Sequence, residues 1–370
     1  MTQPLIRFMN DLYVVHGAFS FTEEEYGQIA EDLDLFSITA QVYHMLKEKG
    51  RLGELPLFLQ DRLKRKAEAT LFQNLLLKHE TDSVLRMFEA NQVDVFIMKG
   101  VYFSEKYFGN VGARGTTDID LLVKPDQLAR AIPVIRSAGF EIFERNNTAH
   151  HALYKRKNQN GVAIYIELHW CLSAEDNERI DYESIWSRSE SLSNFNHIKV
   201  MAYEDTLYAI CLHGINHQMK SLRYFLDIIQ LVQSWPNSID WSRLLERAYS
   251  ERTLNRIRMA IYLVRQVFPA FELPDPHWKR AYTWDYEGAR AYLKGIKTAA
   301  YYRELLVFPL LTHMNLLSTV YWLTRKIIPP VERSVFRAEE GRRHSILVVY
   351  GRLYRQKLDI IRGFVKKQLK

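Results

Sequence analysis

The chain has 370 residues, 47% hydrophobic and 25% charged, ordinary proportions for a globular protein long enough to build two or three packed layers. Its two cysteines, Cys171 and Cys211, lie in apolar sequence and read as buried thiols of a reducing compartment rather than a disulfide; no Cys/His spacing suggests zinc. The net charge is +7, yet residues 325–370 alone carry thirteen Lys or Arg against four Asp or Glu, so the basic character belongs to the tail.

Residues 1–90 read as an N-terminal helical region. Met1 to Arg7 lacks a basic segment followed by a long apolar core and is not a signal peptide, which points to a cytoplasmic protein. Thr22-Glu23-Glu24-Glu25 is a capping-box pattern that starts a helix. Arg62 to Asn91 places Leu71, Leu75, Leu76, Leu85 and Phe88 at mostly helical spacing. Val93 to Met98 then reads as a strand, Lys99-Gly100 as a turn, and Tyr102 to Tyr107 as a short helix. A glycine-containing loop, 109–115, leads to a second strand, Asp118 to Val123. Pro125 begins a helix that contains Pro133 and stops at Gly139. Phe140 to Phe143 is a strand, and the turn Asn158-Gln159-Asn160-Gly161 joins antiparallel strands His151–Lys155 and Val162–His169.

From about residue 176 the pattern returns to helix: Tyr203 through His213 toward Met219, Leu222 to Ser234 ended by Pro236, Trp241 to Tyr249, and Arg256 to Val267. Leu305 to Thr324 is about as long as a membrane span, but His313, Asn315, Pro309 and its threonines argue against one, so no transmembrane segment is expected. Ser345 to Leu369 reads as a long helix with an apolar stripe from Leu347 to Val365 and basic residues on its other faces. It either packs on the core or contacts an anionic partner.

The chemistry gathers in the middle. Asp118 and Asp120, at i and i+2 on a strand, share one face, while Ile119, Leu121 and Val123 pack on the other. Two carboxylates that close repel unless a cation sits between them, and Mg²⁺ favours carboxylates together with substrate phosphates. A strand–glycine–helix turn at Lys99-Gly100 offers backbone N–H groups and a lysine to a phosphate, and Arg114 brings guanidinium donors close to Asp118. In Val162 to Trp170, Ile164, Ile166 and Leu168 alternate with Tyr165, Glu167 and His169, so Glu167 projects from a half-buried strand. Laid beside the Asp118 strand, it supplies a third carboxylate.

This set, Met98-Lys99-Gly100, Arg114, Asp118 to Val123, Gly139-Phe140 and Glu167 to Trp170, resembles the polymerase-β-like nucleotidyltransferase superfamily, and more narrowly a branch of uncharacterised bacterial nucleotidyltransferases. The likeness continues through His213, Arg223 to Ile228 and Asp240-Trp241, covering most of residues 70–260. It implies an α+β fold: a mixed β-sheet palm (91–175) between the N-terminal helical region (1–90) and a larger C-terminal helical domain with the basic tail (176–370). It implies an enzyme that moves an NMP group from an NTP to a hydroxyl or phosphate of a small molecule, peptide or RNA end. Asp118, Asp120 and Glu167 would hold Mg²⁺ or Mn²⁺, and Lys99, Gly100 and Arg114 would hold phosphates. His169 and Asp227 would stand behind them. Members of the branch are associated with bacterial biosynthetic clusters, including tailoring of polysaccharides and ribosomal peptides. The wider superfamily often has Gly-Gly or Gly-Ser at the first turn. Here Gly100-Val101 offers no hydroxyl, leaving phosphate contact to Lys99 or backbone amides. His213 and His217, at i and i+4 without an intervening glutamate, read as structural. The reading from a different class is a non-catalytic nucleotide-binding or interaction protein that keeps the palm, which would not need all three carboxylates.

Overall fold

The N-terminal helices are α1 (Pro4–Tyr13), α2 (Glu23–Leu35), α3 (Thr39–Glu48) and the 34-residue α4 (Leu57–Ala90). The structure is a computed structural model that describes residues 3–13, 18–143, 150–158, 161–173, 178–235, 239–271, 273–278, 281–313, 319–320 and 324. The capping box forms as expected: Thr22 Oγ1 accepts the Glu25 N–H at 3.2 Å, and the Glu25 carboxylate accepts the Thr22 N–H at 2.9 Å. α4 begins a turn and a half earlier than its apolar spacing announces, because Leu57 and Phe58 are exposed and do not mark a buried face.

The sheet elements follow as β1 (Val95–Ile97), α5 (Val101–Phe108), β2 (Ile119–Leu122), α6 (Leu128–Ser137), β3 (Glu141–Ile142), β4 (His151–Lys157), β5 (Ala163–His169), α7 (Tyr182–Ser187), β6 (Glu190–Ser191) and β7 (Ile198–Val200). Within the described residues they form one seven-stranded mixed sheet in the order β3-β4-β5-β2-β1-β7-β6. β4 and β5 are antiparallel, as the turn at 158–161 requires, although Gln159 and Asn160 lie outside the described residues. β2 runs parallel to β5 and antiparallel to β1. The helix read from Pro125 onward splits into a 3₁₀ turn, Pro125–Gln127, and then α6 with Pro133 inside it.

β6 and β7 correct the reading of the chain after residue 176 as helical. They are two and three residues long, too short to display an alternation, and β7 is recruited as a parallel neighbour of β1. The remaining elements are α8 (Tyr203–Asn216), α9 (Leu222–Ser234), α10 (Trp241–Ser250), α11 (Leu254–Val267), α12 (Tyr286–Leu293) and α13 (Ala299–Thr312). Among the described residues no helix is long and apolar enough to cross a membrane. Pro236 and the segment from Ser345 to Leu369 lie outside the described residues.

Two main cores result. One face of the sheet, with Ile119, Leu121, Val123, Ile164, Ile166 and Leu168, packs on Leu77, Val84, Leu85 and Phe88 of α4 and on α6. The larger core is helical and draws on both ends of the chain: Leu5, Phe8 and Leu33 pack in the same cluster as Leu212, Phe225, Ile257 and Leu263. Hydrogen bonds tie those ends further, from Asn10 to the Val267 carbonyl at 2.9 Å and from Tyr286 and Arg290 to the buried Asp32 carboxylate at 2.7 and 2.8 Å. The second face of the sheet meets this helical body, and the candidate site lies at that junction.

Candidate active site

The face of β2 that carries Asp120 is not open to solvent, since Asp120 is only 4% exposed. The same face continues into Leu122, which packs with Phe96, Ile185 and Met201, so β2 is a central strand covered on both sides. Its carboxylate is therefore held in a dry setting and cannot be neutralised by bulk water.

Register sets the acidic cluster. Asp120 stands directly opposite Glu167 in the parallel β2–β5 pair, and Asp118 precedes it by two residues. Carboxylate oxygens of Asp118, Asp120 and Glu167 all come within 4.8 Å of one another. Three such groups cannot share one place comfortably as anions. Burial and the Asp120 charge push Asp118 up to about 6. Burial also opposes ionisation of Asp120, but Lys99 and His169 outweigh it and hold that carboxyl well below its ordinary range. Glu167 is likewise lowered: burial works against its charge, and His169 and His151 more than compensate. Asp120 Oδ1 is buried with no hydrogen bond, although Lys99 Nζ lies 3.2 Å and His169 Nε2 3.5 Å away. A desolvated carboxylate oxygen beside two more carboxylates, with only ion-pair contacts to Lys99 and His169, belongs to a donor set that fits a divalent cation.

Lys99 follows β1 and reaches across to this cluster. Its ammonium is 3.2 Å from Asp120 and within 3.2–3.3 Å of both ring nitrogens of His213 on α8. Gly100 has φ +85° and ψ −148°, a conformation strained for other residues, and turns the chain from β1 into α5 with no side-chain cap on the helix N-terminus. Val101, where a hydroxyl was missed, is buried in the sheet core; packing, not phosphate chemistry, accounts for the residue there.

Arg114 lines the same cavity as Asp118 and Asp120, but its guanidinium is already engaged. It forms a buried bidentate pair with Asp227 of α9, Nε at 2.7 Å and Nη2 at 2.8 Å, and lies over the Phe103 ring. α4 shapes the loop that carries it. The Asn74 amide donates to the Val111 and Arg114 carbonyls and its oxygen accepts the Thr116 N–H, while Gln73 donates to the Thr116 carbonyl. The cation that residue-by-residue reading did not single out is Arg223, in the first turn of α9. It donates to the Gly115 carbonyl, its Nε is buried without a hydrogen bond, and burial together with Arg114 pushes its pKa down to about 10.

Two cavities adjoin at the acidic cluster. One, of about 280 Å³, is lined by Gly100, Arg114, Asp118, Asp120, Arg223 and Tyr224. The other, of about 530 Å³, is lined by Met98, His151, His169, Leu172, Met201 and Ile210. Lys99, Glu167, His213 and His217 line both. The two histidines read as structural thus stand at the shared wall, with His217 stacked on Tyr224. Burial and nearby Lys99 keep both rings neutral, His213 well below its ordinary range and His217 at about 4. Asp227 lines neither cavity and bears on them through Arg114.

A helix-flanked mixed sheet bearing three converging carboxylates and a lysine–glycine turn is the architecture of a nucleotidyltransferase palm. A family model described as "Uncharacterised nucleotidyltransferase" matches residues 35–269, well over half of the chain, and the protein belongs to that family. No curated protein and no solved structure matches it significantly.

Proposed function

We propose that the protein transfers an NMP group from an NTP to a hydroxyl or phosphate of an acceptor, a small molecule or peptide in preference to an RNA end. The observation that carries this reading is the convergence of Asp118, Asp120 and Glu167 where a cation-bearing cavity meets an apolar, histidine-lined one. The smaller cavity takes the nucleotide. Lys99, the Gly100 turn and Arg223 hold its phosphates, while Arg114, locked to Asp227 in the wall of the same cavity, adds positive potential. The larger cavity takes the acceptor. Asp118, Asp120 and Glu167 would hold Mg²⁺, which would supply charge neutralisation for the transferring phosphoryl group.

The acceptor oxygen attacks the α-phosphorus in line. A new P–O bond forms, the bond to the β-phosphate oxygen breaks, and pyrophosphate leaves. For a hydroxyl acceptor, Glu167 accepts the proton. Lys99 and Arg223 are aimed at the charge that develops on the departing phosphates, where fixed cations in a dry site contribute most.

With α-³²P-labelled NTPs, Mg²⁺ and a small-molecule extract as acceptor pool, the expected result is label in a new product and release of pyrophosphate. Asp118→Ala or Asp120→Ala should abolish both. Equal NTP affinity in the wild type and the double alanine variant, without metal dependence in calorimetry, would leave a binding module instead.

A further inference from the structure

We propose that His151, Glu167 and His169 form a second cation site with mixed nitrogen and oxygen donors, which takes a borderline first-row transition-metal dication such as Zn²⁺ or Co²⁺. The three lie on the antiparallel pair β4–β5, where His151 is registered opposite His169 and Glu167 is two residues along on the same face. Their donor atoms all fall within 4.8 Å of one another. His151 Nε2 is 3.2 Å from Glu167 Oε1, and His169 Nε2 is 3.5 Å from Glu167 Oε2. With metal–ligand bonds of about 2.0–2.2 Å, neighbouring donors on a tetrahedral ion stand roughly 3.4 Å apart, which these separations match.

A second observation is independent of that spacing. His169 Nε2 and Asp120 Oδ1, the latter on a side chain only 4% exposed, are buried without a well-formed hydrogen bond, held only by ion-pair contacts, Lys99 lying 3.2 Å from Asp120 Oδ1. These two atoms are 3.5 Å apart, so Asp120 is in place as a further ligand. Imidazole nitrogens disfavour Mg²⁺, a hard ion that keeps oxygen ligands, and favour borderline transition metals. Glu167 belongs to both sets and would bridge the all-oxygen site on the nucleotide side and the nitrogen-containing site on the acceptor side. The use of the second ion in catalysis rests on the transferase reading; its binding does not.

The test is titration of the metal-stripped full-length chain with Co²⁺ in excess Mg²⁺, read by visible absorption. The wild type should bind one Co²⁺ with the intense band of a low-coordinate, nitrogen-ligated ion. His169→Ala and His151→Gln should each weaken binding by more than the roughly 10–100-fold that loss of an outer partner causes. Asp118→Asn, outside the donor set, should keep the band. Circular dichroism checks folding of each variant, and half-buried His151 decides the matter if His169→Ala does not fold. Absence of the band in wild type, its retention in His151→Gln, or its loss in Asp118→Asn would each overturn the site. Label transfer with Mg²⁺ in the same preparation reports on the transferase reading separately.

Discussion

Arg223 is the residue through which phosphate binding can be separated from metal binding. Among the described residues it forms no ion pair with a carboxylate, and it lines the cavity that Asp118 also lines. Hydrogen bonds from a cation to a charged group contribute about 1.5–3 kcal/mol, roughly a 10–100-fold effect. Arg223→Ala should therefore raise the KM for NTP by that factor with a smaller change in kcat, and Arg223→Lys should fall between. An unchanged KM would reduce Arg223 to a brace on the Gly115 carbonyl. In the sequence, Arg223 and Asp227 stand at i and i+4 on a helix, a spacing that would let them pair with each other. Only the tertiary structure shows that Asp227 is taken by Arg114, which leaves Arg223 turned to the site. The three carboxylates were legible because a strand has period two; their closeness was not, because it depends on a parallel register between segments nearly fifty residues apart.

At the scale of elements, α4 does more than cover the sheet. Midway along it, Asn74 satisfies two carbonyls and one N–H of the loop that carries Arg114, and Gly112 packs so closely on Leu71 that an added Cβ would lie 2.8 Å from the leucine Cβ. Each buried backbone group left unsatisfied costs about 1–3 kcal/mol. Asn74→Ala should lower stability by on the order of 3 kcal/mol, seen as a lower urea midpoint at unchanged slope, and should weaken NTP binding as the loop loosens. A midpoint within about 0.5 kcal/mol of wild type, the range of an ordinary surface change, would remove α4 as the template. None of this is visible in the chain, where Asn74 is one polar residue in a long helix. Alternation and caps disclosed β5, α2 and α9, whereas β6 and β7, with two and three residues, gave periodicity nothing to count.

For the whole molecule, the family match and the folded unit have different limits. The match runs from 35 to 269, but the helical core that backs the site extends outside it on both sides. Leu5, Phe8, Met9 and Leu12 of α1 and Ile29 and Leu33 of α2 are fully buried, and the Trp284 indole donates to the Met219 carbonyl at 2.8 Å. Composition and helical period announced helices at both ends of the chain. They could not announce that these helices pack on each other, since that contact joins residues more than 250 positions apart. Burying one such side chain contributes about 1.5–3 kcal/mol, against a net stability of about 5–15 kcal/mol for a whole domain. A chain trimmed to residues 35–269 should therefore lose cooperative unfolding and expose apolar surface, measured by calorimetry and by binding of a hydrophobic dye. The same trimming removes Leu293, which lines the smaller cavity together with Phe36 and Ser37, so any NTP-dependent rise in Tm should vanish as well. A trimmed chain that melts cooperatively near the full-length Tm and still responds to NTP would show that the outer helices are appended to the palm rather than built into it.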